Sequence, residues 1–153
     1  MFRQTCWGGR AIIGDSTMAT MDTYDERVYA VRRGPSKVAV SAKPKTVTKG
    51  NSVIIEGTIT DVSLGIDSPA IKMRFPNGVP CVRDEDMSAW MRPVYNQFLG
   101  HPDVDGVSIT LDGVDPNGNF FNIGRTTSDM SGTYSYQWTP EIEGKYPIVA
   151  TFE

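Results

Sequence analysis

The chain has 153 residues with a net charge of -3, and its hydrophobic fraction of 39% is enough for one cored domain with or without an appendage. Its 15 basic residues are scattered, with Arg32-Arg33 and the stretch from Lys43 to Lys49 as the nearest approach to a patch, so bulk electrostatics argues against a nucleic-acid partner. Neither membrane insertion nor a signal peptide is expected: no run nears the about 18 apolar residues of a spanning helix, and Met1 to Thr5 lacks an apolar core.

From the N-terminus, residues 10–33 read as three short strands: Ala11 to Ser16, Thr17 to Asp22, and Arg27 to Val31. Gly14-Asp15-Ser16 and Tyr24-Asp25-Glu26 supply the turns, and Gly34-Pro35-Ser36 reads as a linker. Lys37 to Ala42 is the next strand, turned by Thr48-Lys49-Gly50-Asn51 into Val53 to Thr60. There Val53, Ile55 and Ile59 share one face, while Glu56, Thr58 and Thr60 share the other.

Residues 62–105 are too long for a hairpin loop and read as an insert. Within it Met87, Trp90, Met91, Val94, Tyr95 and Phe98 form an apolar stripe at helical spacing, with Asp84 or Asp86 as its cap. Pro93 predicts that this helix ends or kinks near Met91-Arg92. The stripe is expected to plug an open end or side of the fold, and the alternative is a ligand platform made by Trp90 and Tyr95.

Beyond the insert, Val107 to Asp112 alternates strictly. Asp115-Pro116-Asn117-Gly118-Asn119 turns it into Phe120 to Ile123. Asp129-Met130-Ser131-Gly132 then leads into Thr133 to Trp138, with Tyr134, Tyr136 and Trp138 on the expected core face. After Thr139-Pro140 and Glu143-Gly144, Tyr146, Ile148, Ala150 and Phe152 alternate to the end. Strands at this spacing predict an all-β protein built as a sandwich.

Little of the sequence suits catalysis. Any nucleophile–base pair must use the single histidine, His101, with Cys81 in the same insert as its conceivable partner. The apolar setting Val79-Pro80-Cys81-Val82 favours a buried thiol over an activated one. Cys6 and Cys81 are not spaced as a zinc knuckle, and they read either as a disulfide or as a buried thiol and a free one. Asp84, Glu85, Asp86, Asp103 and Asp105 read as caps and solvated loops. Asp115 to Asn119 places oxygens at alternate positions as calcium requires, but Thr126 stands where a full calcium loop has an acid, so a tight turn is the better reading. No catalytic, metal or cofactor-binding residue is assigned.

Ile13-Gly14-Asp15-Ser16, Met21 to Asp25 and Val28-Tyr29-Ala30-Val31 together resemble the end of a pyrroloquinoline-quinone-like β-propeller blade. Most of residues 34–153 resembles the immunoglobulin-like domain that follows such a propeller in archaeal surface proteins. The stretches that carry this are Gly34 to Ser36, Arg74 to Pro80, Asp86 to Met91, Asp115 to Asn119, Thr126 to Asp129, Trp138 to Pro140 and Gly144 to Tyr146. The resemblance implies a partial blade or β-hairpin remnant over residues 1–34 and an immunoglobulin-like β-sandwich over 35–153, with a short helix in the 62–105 insert. One partial blade cannot hold a quinone, so no cofactor is implied. The family pattern continues past Phe152 into another strand, which leaves Tyr146 to Phe152 at an open edge that Pro147 suits.

The function expected is that of a non-catalytic structural or interaction module of a larger extracellular or cell-surface protein. Its partner would be protein: the remainder of the parent chain, or a second copy through the open edge. Carbohydrate or peptide binding by the aromatics of the insert is the alternative, and a hydrolase of unknown substrate comes third.

Overall fold

The computed structural model describes residues 11–14, 17–22, 26–32, 34–63, 66–95 and 104–152. The chain divides into two units, Met1–Pro35 and Ser36–Glu153.

In the first unit, β1 (Ile12–Gly14), β2 (Thr17–Asp22) and β3 (Arg27–Arg32) form an antiparallel meander. The pairings Ile12↔Ala19, Ala19↔Ala30 and Met21↔Val28 put Ile12, Met21 and Val28 on one face. All three are exposed there, Ile12 at 74% and Val28 at 72%. The opposite face carries Thr20, buried at 4%, and the half-buried Tyr29.

The second unit is all-β apart from its insert. One sheet has the order β4 (Ser36–Lys43), β5 (Val53–Asp61), β8 (Thr133–Trp138), and the other has β7 (Phe120–Thr127), β6 (Ser108–Val114), β9 (Ile148–Phe152). Every pairing is antiparallel. Strict alternation lets each sheet give one face to a shared core, where Ile55 and Ile59 of β5 meet Ile109 and Leu111 of β6, all fully buried. Each such side chain contributes about 1.5–3 kcal/mol by leaving water.

Position 57 of β5 lies between Ile55 and Ile59 on the core face, and only glycine fits there. The Tyr134 ring crosses it, and its hydroxyl donates to the Ala39 carbonyl of β4 at 2.8 Å. A Cβ at Gly57 would lie 1.9 Å from that carbonyl oxygen and 2.5 Å from the Tyr134 hydroxyl. The missing side chain therefore lets one aromatic ring tie three strands together.

The insert between β5 and β6 is anchored by two isolated bridges, Thr60↔Pro80 and Val82↔Gly106. It carries α1 (Pro69–Arg74), which follows Ser68, and α2 (Met87–Tyr95). Of the two outcomes expected near Met91-Arg92, an end or a kink, the helix does not end there: α2 continues through Pro93 to Tyr95. Pro93 falls in the last turn, where its missing N–H removes one bond from a helix already ending. Nor does Asp86 cap α2 with its carboxylate, which pairs with Arg83 at 3.3 Å, while its backbone carbonyl accepts the Trp90 N–H at 2.9 Å. β7 runs to Thr127 rather than stopping at Ile123, and β9 starts at Ile148 rather than Tyr146.

Candidate functional site

The insert is the first place sequence points to, and there the structure covers the ring of Trp90. Trp90 is only 5% exposed and packs against Phe75 with ring centroids 5.8 Å apart. It serves as a plug and offers no open ring face to a ligand. The side chain of Tyr95, together with His101, Asp103 and Cys6, lies outside the described residues.

Cys81 is a free, half-buried thiol beside β5. Burial, and then the nearby Asp61 carboxylate, push it up to about 11, so it is protonated at neutral pH and a poor nucleophile. We expect alkylation of the Cys81 peptide at pH 8, followed by mass spectrometry, to run on the order of a hundredfold slower than for an ordinary peptide cysteine. The folded value is raised, so the thiol's contribution to stability is complete below pH 9.0 and is lost as pH rises toward 11. Rapid alkylation of the folded chain at pH 8 contradicts this assignment.

The carboxylates in the hairpin turns are occupied locally. Asp115 Oδ1 accepts the N–H groups of Asn117 and Asn119, each at 2.8 Å, and Oδ2 accepts the Asn119 side-chain amide at 2.9 Å. The Asn119 side chain first, and then the N–H groups of Asn119, Asn117 and Gly118, hold this carboxyl below its ordinary range. Gly118 takes the positive φ of 88° that the turn needs. Asp129 repeats the arrangement with Ser131 and Thr133. Partial burial pushes its carboxyl up, but the hydroxyl and N–H of Thr133 and the N–H of Ser131 outweigh that and lower it. Among the described residues, no group of three His, Cys, Asp or Glu side chains is placed to hold a metal ion.

Two surface features remain. The first is the outer edge of β9, which like β4, β7 and β8 pairs on one side only among the described strands, and which has β4 of the other sheet beside it without a ladder between them. The bond from the Val114 N–H to the Pro147 carbonyl, 3.1 Å, sets the phase of this ladder. By antiparallel alternation, Val149 and Thr151 turn their backbone groups toward β6, and Ile148, Ala150 and Phe152 turn theirs outward. No charged side chain occurs between Ile148 and Phe152, so the edge lacks the charges that usually guard such strands.

The second feature is a cleft of about 350 Å³ between the 44–51 and 139–147 loops. Both loops leave the same end of the sheet because Val53, at the start of β5, pairs with Trp138, at the end of β8. Trp138 meets Tyr146 edge-on at 5.0 Å. The Tyr146 hydroxyl donates to the Ile142 carbonyl at 2.8 Å and accepts the Ile142 N–H at 3.1 Å, which pins the loop just ahead of β9. This tie holds Tyr146 in the loop, outside the strand to which its alternation had assigned it. The sequence signal available for it was a tyrosine directly preceding an alternating run.

These features define an all-β protein whose second unit has a helical insert, an uncharged edge strand in β9 and an aromatic cleft. Among the described residues, no helix is long and apolar enough to cross a membrane. Comparison with protein-family models and with curated proteins finds no match to this chain.

Proposed function

We propose that the chain is a non-catalytic interaction module, an immunoglobulin-like sandwich that binds protein by taking up an added strand along β9. Its setting in this reading is a larger extracellular or cell-surface protein. The strand orders β4-β5-β8 and β7-β6-β9 support the architecture. They match the A-B-E and C′-C-F strands of an immunoglobulin sandwich, in which the strand beside F is G. Tyr146 supports it too, since a tyrosine at the start of F that bonds back to the preceding loop is a hallmark of that fold.

The observation that carries the function is the unpaired edge of β9, which in this reading stands as the F strand, beside which a G strand would pair. An incoming segment would find three outward-turned residues, Ile148, Ala150 and Phe152, already fixed by core packing. The donor is the remainder of a longer parent chain or a second copy. The exposed Ile12, Met21 and Val28 of the first unit also fit a chain that works in contact with other protein. The non-catalytic part of the reading is supported by the protonated Cys81 and by turn carboxylates engaged in local hydrogen bonds.

In this reading the isolated chain takes the strand from a second copy and not from its own first unit. Sedimentation velocity across a concentration series is expected to show reversible dimerisation. Combining Val149→Lys with Thr151→Lys, which charges the strand without touching its bonds to β6, should return the chain to monomer. A chain that stays monomeric at every concentration, or a dimer indifferent to the two lysines, overturns the reading.

A further inference from the structure

The cleft meets the edge of β9 at Ile148, but its chemistry points to a ligand of its own. Trp138, Tyr146, Pro44 and Pro140 are among its lining residues, and three lysines, Lys45, Lys49 and Lys145, stand around it. Glu143 is the one carboxylate among the lining residues. Ion pairs among the described residues engage Lys43, Lys72 and Arg83, and none engages these three lysines. A chain whose net charge is -3 thus gathers a net positive charge at one apolar cleft.

We infer that this cleft binds an acidic carbohydrate unit, a sugar ring bearing a carboxylate. The C–H face of a sugar ring packs on an aromatic or prolyl surface, and its carboxylate takes the lysine ammonium groups as counter-charges. A volume of about 350 Å³ lies at the small end of ligand pockets and admits one or two sugar rings. An acidic peptide is a poorer match, because an extended backbone needs a row of unpaired backbone groups and, of the outward-turned residues of β9, only Ile148 lines the cleft. The three lysines come from loops far apart in sequence, and the β5–β8 pairing brings those loops to one end of the sheet.

Isothermal titration of the whole chain with trigalacturonate tests this, with its neutral methyl ester, benzoate and a short polyglutamate as parallel arms. Saturable binding of trigalacturonate is expected, weakened by salt and at least about tenfold tighter than for the ester, as several rim charges acting together require. Combining Lys49→Gln with Lys145→Gln should weaken it by about tenfold with an unchanged melting temperature, whereas Lys72→Gln on α1 should leave it as it is. Equal affinity for the ester, or binding indifferent to the paired lysine substitutions, overturns the inference. Benzoate or polyglutamate binding as tightly as the sugar also overturns it, as does the absence of saturable binding to trigalacturonate.

Discussion

Gly57→Ala is expected to destabilise the second unit by about 3 kcal/mol, a fall in melting temperature of about 10 °C. The added Cβ has no direction in which to move. It meets the Ala39 carbonyl oxygen at 1.9 Å and the Tyr134 ring at 2.7 Å, so either β4 shifts away from β5 or the ring leaves its place. Both responses break the bond between Tyr134 and Ala39. Tyr134→Phe removes that bond alone and keeps the ring, so it should cost only about 1 kcal/mol. Gly57→Val should be worse than Gly57→Ala. Thermal or urea unfolding of the three variants orders them, and a Gly57→Ala protein within about 0.5 kcal/mol of the parent removes the ring-over-glycine account.

Leu111→Ala should cost about 3 kcal/mol, in the range for a fully buried leucine whose cavity cannot collapse. Leu111 lies in the central strand of its sheet, opposite Gly124 on β7 and Ala150 on β9, so small neighbours on both sides cannot fill the gap. The matched control is Ile54→Ala. Ile54 is next to Ile55 in sequence but 49% exposed on the outer face, and its truncation should cost less than about 0.5 kcal/mol. A strand period of 2 is the whole difference between the two sites. Equal effects from urea unfolding would mean that the strand faces are wrongly assigned.

These two pairs also show why much of the second unit could be read before its structure was seen. Val53, Ile55 and Ile59, and likewise Ile109 and Leu111, repeat every second residue, and burial follows the same period. α1 escaped notice for the converse reason: none of its residues is buried, so it carries no apolar stripe to detect. α2 was found from its stripe, but it runs past Met91-Arg92 to Tyr95, because the packing of an apolar face can carry a helix past a proline that removes one of its bonds. Spacing alone also gave Trp90 a face without saying whether that face was covered, and Phe75 covers it.

The candidate sites were legible only in part. Pro147 suggested an edge strand, yet it lies just ahead of β9 with its carbonyl turned to β6, and which side of β9 is open depends on its pairing with β6, a long-range fact that no local pattern encodes. The cleft was invisible for the same reason. Lys45 and Lys49 lie in the stretch that sequence singled out as weakly basic, whereas Lys145 and Trp138 join them only through the β5–β8 register.

Most of the functional reading depends on the outer edge of β9. Amide hydrogen exchange, resolved at Ile148, Ala150 and Phe152 and compared between dilute and concentrated chain, tests it most directly. Fast exchange at these three amides in dilute protein, slowing together on concentration while Val149 and Thr151 stay protected throughout, is the expected result. Slow exchange at all five amides in dilute protein, or no slowing on concentration, would contradict the account.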